Sequence, residues 1–515
     1  MKASIDSNHQ NNKRIAKNTL LLYFRLLITM GIGLYSSRIV LNALGVEDFG
    51  VYNVVGGVVA MFSLFTNSLS ASTSRFLAFE LGEQDENKLA SVFSTSVSIQ
   101  LIMASIIMIA AEVAGIFFLD WLNIPVERMD AARWVYHFAV LTFAINLISV
   151  PYNAAIIAHE KMNAFAIISI LDAALKLLIA FMLYFASYDK LITYAASFAA
   201  VAVMIRLFYG IYCRTHFQEC HYNFSFDKRM LKDMSGFAGW NFLGSGAYLL
   251  NTQGVNIVTN LFFGVATNAA RGVTNQLEGA VKHFVTSFTT AINPQITKSY
   301  AAGNLDYMHS LICRGAKFSY LIMLFFVVPL MFEAETVMKL WLKDFPLEAS
   351  LFLKLSLIGT MFDMLGNSTA NAAWATGNIK RYYIIVSSVG CLVFPISWIC
   401  FALGCDAYFS YIVFAVIYAI VMLVKVYIIK DLVKFPAKRF FTDVLVRIIP
   451  VTAFSLILPL VAFWGLNQYH LFRFVAVTTA SIISVATFTF VIGLTKSERD
   501  TVLKAFKEKL AHVIG

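Results

Sequence analysis

Apolar runs long enough to cross a lipid bilayer recur along almost the whole chain, and no other feature of the sequence constrains its fold as tightly. Bounded by charged residues or by Gly, Pro and Asn, they fall at about 18–42, 50–74, 89–119, 130–157, 163–186 and 190–213. After a polar stretch from Arg214 to Asp233, eight more lie near 235–262, 268–293, 310–333, 348–375, 382–403, 407–430, 440–464 and 470–494. A helix needs about 20 residues to cross the hydrocarbon, where lipid offers the backbone no hydrogen bonds. Composition agrees: 59% of the 515 residues are hydrophobic and 14% charged, against about 25% charged in a soluble chain. The expected fold class is an all-α polytopic membrane protein with about 14 transmembrane helices. A soluble enzyme, a disordered scaffold and a peripheral protein are excluded. The second, third and eighth runs are rich in Ser, Thr, Asn and Gly, as spans facing a wet interior are.

An even number of spans puts both termini on one side, and basic loops mark the cytoplasmic side. Only nine of the 40 Lys and Arg residues stand in loops opposite the N-terminus: Arg38, Arg128, Arg133, Lys190, Arg271, Lys339, Lys343, Lys354 and Arg473. Arg25, Lys176, Arg206, Lys282 and Lys425 lie within runs, Arg206 and Lys425 close enough to cytoplasmic ends that they are expected to snorkel to the surface, and the others share the N-terminal side. Both termini are therefore expected in the cytoplasm. The net charge of +10 then reads as topology, and no nucleic-acid partner is expected. No cleavable signal peptide is visible, so the first run is expected to act as an uncleaved anchor. The six cysteines are scattered, and Cys213, His216, Cys220 and His221 lack a zinc spacing. No metal or cofactor is expected.

The chain also repeats itself. Lys13-Arg14-Ile15-Ala16-Lys17-Asn18 returns as Lys228-Arg229-Met230-Leu231-Lys232-Asp233, and Gly45-Val46 returns as Gly264-Val265. Gly82 and Asp85 match Gly303 and Asp306, and Asn153-Ala154-Ala155 returns as Asn371-Ala372-Ala373. The offsets are nearly constant. They imply a six-helix lobe over 1–213, a cytoplasmic linker over 214–234 and a second six-helix lobe over 235–430. Two additional helices over 431–494 and a basic tail over 495–515 follow. Six is even, so the repeats run parallel, related by an axis along the membrane normal. Two such bundles flanking a central cavity are the expected basis of alternating access.

Three stretches carry a family likeness. Ser37-Arg38-Ile39-Val40-Leu41-Asn42-Ala43-Leu44-Gly45-Val46-Glu47-Asp48-Phe49-Gly50-Val51-Tyr52 resembles the first-loop signature of polysaccharide-transport-type flippases. Those proteins belong to the multidrug/oligosaccharidyl-lipid/polysaccharide exporter superfamily. Pro151-Tyr152-Asn153-Ala154-Ala155-Ile156-Ile157-Ala158-His159-Glu160-Lys161-Met162 is similar to the same family's connection between the fourth and fifth spans. Asn293-Pro294-Gln295-Ile296-Thr297-Lys298-Ser299-Tyr300 is similar to its eighth-span exit. The resemblance implies a bacterial inner-membrane flippase for undecaprenyl-pyrophosphate-linked oligosaccharides, of the kind that build O-antigen, capsule or exopolysaccharide. It implies membrane lipids and polysaccharide assembly proteins as neighbours. The sugar stays open.

Ionisable groups inside spans are costly and therefore candidate site residues. Asp172 with Lys176, and Glu278 with Lys282, stand at i,i+4 on one helix face. Each pair either neutralises itself or lines the cavity, the lysine contacting substrate and the carboxylate accepting a coupling ion, H+ or Na+. Asp363 and Glu112 have no local partner and need one from another helix. Arg25 lies about two turns into the first span, where it either snorkels to the surface or faces substrate. Arg38, thirteen residues on, is rotated by about 220° from it, so the two cannot both face one cavity squarely. Arg75 and Arg271 are expected at the cavity mouths. Arginine can grip phosphate oxygens in bidentate fashion. Asn67, Asn241, Asn251, Gln253, Asn256, Asn275, Gln276 and Trp240 are candidate sugar partners.

No phosphate-binding glycine loop, nucleophile elbow or metalloprotease helix is present, so the chain is not expected to be an enzyme. An ion gradient, the membrane potential or the substrate gradient is left as the energy source. The alternative is a multidrug/cation antiporter of the same superfamily. A cationic drug needs carboxylates, yet the first span from Asn18 to Asn42 has none and carries Arg25 and Arg38. A membrane-embedded glycosyltransferase is disfavoured by the duplicated halves and by the lack of a large extracytoplasmic loop.

Overall fold

The computed structural model describes residues 2–60, 62–119, 124, 126–223, 227–342, 346–466, 470–500 and 503. Among them every regular element is helical. The α-helices are α1 (Lys2–Ala60), α2 (Ser63–Glu83), α3 (Glu86–Phe118), α4 (Met129–Ala158), α5 (Met162–Met182), α6 (Lys190–His216), α7 (Lys228–Ala301) and α8 (Leu305–Leu342). They continue as α9 (Glu348–Leu365), α10 (Asn367–Ala375), α11 (Lys380–Cys391), α12 (Val393–Ala402) and α13 (Phe409–Leu432). Last come α14 (Ala437–Phe440), α15 (Val446–Ser455), α16 (Ile457–Gly465) and α17 (His470–Phe488).

Among the described residues, eleven helical stretches are long and apolar enough to span a membrane. The expected runs at 50–74, 235–262 and 268–293 are not among them. Two of these are the Ser/Thr/Asn/Gly-rich second and eighth runs, whose composition lowers their mean hydropathy. Most of the tail after Thr495 lies outside the described residues. Short acids start several helices by accepting bonds from their orphan amides. Asp85 accepts from the Lys88 amide, Asp189 from those of Leu191 and Ile192, and Asp227 from those of Arg229 and Met230.

The chain divides into two compact units. The first is Met1–Gly246 with Thr290–Met308 and Trp374–Tyr383, and the second is Ala247–Thr289 with His309–Ala373 and Ile384–Gly515. In the first, Leu77, Phe93, Leu147, Ile156 and Met234 belong to one buried cluster. Arg128 ties the loops of this unit together. Its Nε and Nη2 donate to the two carboxylate oxygens of Asp48 at 2.6 Å each, and its Nη1 donates to Asp189 at 2.6 Å. Burial pushes the Asp189 carboxyl up, but the bonds from Arg128 and from the first amides of α6 outweigh it and hold the group below its ordinary value. In the second unit, Leu321, Leu324, Phe352, Leu353 and Val485 form one apolar cluster, and Val255, Val393 and Val421 belong to another.

The repeat is written into the backbone. α1 bends at Gly45 (φ 82, ψ 170) and α7 at Gly264 (φ 78, ψ −170), a conformation open essentially to glycine alone. A Cβ at either position would meet no atom within 4 Å, so the requirement is conformational and packing plays no part. At the same offset of 219 residues, the left-handed Gln84 that ends α2 matches the left-handed Gly303 that follows α7. Asp85 then matches Asn304: both accept from an amide three residues on, Lys88 and Tyr307. This corrects the sequence register at these positions by two residues. Gly82 and Asp85 do not align with Gly303 and Asp306.

Gly45→Ala and Gly264→Ala are each expected to cost about 1–3 kcal/mol, read as the shift in SDS-titrated unfolding of the purified protein. Gly31→Ala, in an ordinary helical stretch of α1 with free space around it, is the control and should be neutral or gain up to about 1 kcal/mol.

Candidate functional site

After the Gly264 bend, α7 presents Arg271, Asn275, Glu278 and Lys282 at spacings of four, three and four residues, which places them on one face. In the second unit this face lines a cavity of about 260 Å³, completed by Asn251, Asn256, Ser356, Ser410, Tyr411 and Tyr418, with Val255, Gly279, Val393 and Phe414. Arg271 is held rigidly: its Nε donates to Asn256 Oδ1 at 2.8 Å and its Nη1 to Ser410 Oγ at 2.9 Å. The guanidinium lies 4.8 Å from the centre of the Tyr411 ring. The Glu278 carboxylate is buried and gathers three donors. Lys282 Nζ lies 2.5 Å from it, Thr360 Oγ1 donates at 2.7 Å, and the Ser356 hydroxyl donates as well. The cavity thus sets two cations and one anion among partly apolar walls.

The first unit holds Arg25 on α1. Its guanidinium lies 4.8 Å from the centre of the Phe165 ring, and its Nε is buried with no hydrogen-bond partner. No carboxylate among the described residues forms an ion pair with it. Asp172 and Lys176, on α5, pair at 2.7 Å as their i,i+4 spacing predicts, and Lys176 lies 5.6 Å from the centre of the Phe198 ring. Arg75 on α2 directs its donors elsewhere, Nε to the Trp374 carbonyl at 3.1 Å and Nη2 to the Ala375 carbonyl at 3.0 Å. It therefore satisfies the open carbonyls at the end of α10. The Arg38 side chain lies outside the described residues.

Asp363 finds its partner on another helix, as expected: Lys425 Nζ on α13 lies 3.2 Å from it. Lys425 is buried, and the expectation that it snorkels to the surface fails because the carboxylate holds it inside the second unit. Glu112 likewise meets His137 of α4 at 2.7 Å. Among the described residues no group of three or more His, Cys, Asp or Glu could hold a metal. Sequence reasoning passed over Glu160. It stands in a quoted motif, but only the fold reveals that its carboxylate is wholly buried among donors.

The sequence profile of a family described as polysaccharide biosynthesis protein matches residues 15–300. A membrane protein of Bacillus subtilis (strain 168), EpsK, itself described as uncharacterized, is 19% identical over 288 residues. That match covers 54% of this chain and 56% of the relative, so the chain spans little more than half of that protein's length. Among solved structures, a MATE protein in complex with MaD3S is 15% identical, with a TM-score of 0.73 over 83% of this chain and 97% of that one. An outward-facing multidrug resistance MATE family transporter of the MOP superfamily scores 0.72 at 15% identity, covering 82% and 96%. A MOP superfamily transporter from Pyrococcus furiosus, described as having a binding pocket of reversed polarity, scores 0.70 at 15% identity, covering 82% and 96%. At such identities the likeness is one of fold.

Asp363→Leu alone should destabilise the protein by about 3–5 kcal/mol, because it leaves Lys425 charged in an apolar surrounding. Asp363→Leu with Lys425→Met should recover most of that loss in the same unfolding titration. An equal loss in the single and double variants would show that the pair is not what stabilises this region.

Proposed function

Because the chain belongs to the polysaccharide biosynthesis protein family, we propose that it moves a lipid-linked oligosaccharide from the cytoplasmic to the periplasmic leaflet of a bacterial inner membrane. The cargo is an undecaprenyl-pyrophosphate-linked glycan, carried by alternating access with both termini in the cytoplasm. The observation that carries this reading is Arg25, a guanidinium inside the first span without a carboxylate partner among the described residues. The other described cations of this set are already engaged. Lys176, Lys282 and Lys425 sit against carboxylates, Arg271 against Asn256 and Ser410, and Arg75 against carbonyls. A buried guanidinium Nε with no acceptor is unfavourable until an anion arrives. Pyrophosphate satisfies it with charge-assisted bonds.

Arg271, Lys282, Asn256 and Asn275 offer the donors and acceptors that a glycan head group needs, and the polyprenyl tail stays in lipid. Glu278 is the first candidate for the coupling ion. A proton or sodium ion on it would weaken its hold on Lys282 and free that ammonium for substrate. Asp172 and Asp363, each paired with one lysine, are the second candidates. Contacts with polysaccharide assembly proteins belong to the same reading. Multidrug/cation antiport, the second reading, draws on the MATE-like fold alone, and the carboxylate-free first span disfavours it.

Deleting the gene should remove surface polysaccharide and accumulate its lipid-linked precursor. Normal polysaccharide with new sensitivity to cationic drugs would favour antiport instead. Arg25→Ala is expected to lower flipping by about 10–100-fold at unchanged expression, the worth of a charge-assisted bond of about 1.5–3 kcal/mol, and Arg25→Lys should restore part of it. Lys282→Ala should abolish export. Wild-type export in both alanine variants would remove these cations from the transport path.

A further inference from the structure

Two of the family-like motifs, 151–162 and 293–300, meet inside the first unit, and the residue that joins them is Glu160. α4 ends at Ala158, and two residues later Glu160 adopts φ +58, the left-handed region that favours glycine. At the corresponding turn after α10 the chain does carry glycine, Gly377 at φ +75. A side chain kept in a position suited to glycine points to a function for that side chain.

Here the function is visible. The Glu160 side chain is 0% exposed. Gln295 Nε2 donates to both of its carboxylate oxygens at 2.8 Å, Lys298 Nζ to Oε1 at 2.7 Å, and Arg14 Nη2 approaches Oε2 at 3.1 Å. Its backbone carbonyl accepts from Asn18 Nδ2 at 3.3 Å. One carboxylate therefore binds the start of α1 and the end of α7 to the end of α4. About one turn further along α1 and α7, Leu22 and Ala291 close on Met162, all fully buried.

The repeat supplies a second tie of the same kind. Arg75, about two turns before the end of α2, holds the end of α10 through the carbonyls of Trp374 and Ala375. By the 219-residue offset, the end of α2 corresponds to the end of α7. In each case a residue from the last turns of a helix in one repeat, or from the turn that follows it, grips a helix end from the other. The two ties differ in kind. Arg75 bonds backbone carbonyls, whereas Glu160 acts through a buried ion cluster, which is strong while dry and weakens when water enters.

We propose that Glu160 is the latch that shuts this end of the first unit, and that it must let go of Gln295 and Lys298 once in each transport cycle. Glu160 is thus a positioning residue, acting through the end of α7. The word "cycle" rests on the flippase reading, but closure can be measured without any substrate.

The test uses the full-length protein with its six cysteines replaced and a single Ala291→Cys probe behind the latch. Inside-out membrane vesicles are exposed to a membrane-impermeant maleimide, with Asn87→Cys, at an exposed site, as the reference. Glu160→Gln removes the charge and Glu160→Gly removes the side chain while relieving the backbone; each is also made with Lys298→Gln, so that no unpaired charge is left buried. Both should raise the labelling rate of Cys at position 291 by about tenfold, relative to the reference. Equal labelling in native, Gln and Gly forms would overturn the latch. If labelling rises while deletion of the gene leaves surface polysaccharide unchanged, the latch stands and the flippase reading falls.

Discussion

Charge is expensive in hydrocarbon, and the molecule is organised around that cost. An ion pair within a span must recover several kcal/mol of lost hydration for each group, which it does only with good geometry and extra hydrogen bonds. Glu278 meets that condition with Lys282, Thr360 and the Ser356 hydroxyl, and Glu160, buried in the turn between two spans, meets the same cost with Gln295, Lys298 and Arg14. Against this background Arg25 stands apart. Aromatic contact with Phe165 offsets only part of its burial, and its unsatisfied Nε is the kind of polar group that native interiors seldom leave without a purpose.

The duplicated architecture gives these charges their setting. A helix that bends at a glycine of positive φ can change direction without losing its hydrogen-bonded ladder for long, and both repeats do so, at Gly45 and Gly264. The bend in α7 precedes the face that carries Arg271, Glu278 and Lys282, so the cavity of the second unit depends on it. The bend in α1 falls within the family-like stretch 37–52. There Asp48, three residues past the glycine, is delivered to Arg128. Of the two acidic residues in that motif, Asp48 is explained by the fold as an anchor for Arg128 within the first unit.

Much of the candidate site could be read from spacing. Asp172 with Lys176 and Glu278 with Lys282 pair as an i,i+4 interval on a helix requires, because the geometry is local. Arg25 stood out as a charge in an otherwise apolar run. The partner of Asp363 was legible only as a need. That the need is met by Lys425, which sequence reasoning placed at the surface, depends on how α9 packs with α13. Glu160 gave no sign beyond its motif, since exposed and buried glutamates look alike in a sequence.

The sequence by itself determined the helical class, the bands of lipid-compatible chain, the duplication and the paired charges one helical turn apart. All of these are consequences of local periodicity and of the price of polar groups in lipid. Tertiary structure alone decided which distant charges meet. Asp363 reaches Lys425 across 62 residues, Arg128 reaches Asp48 across 80, and Lys298 reaches Glu160 across 138. The reason is physical: a helix fixes the direction of its side chains about its own axis, but which neighbour lies in that direction follows from packing the whole unit.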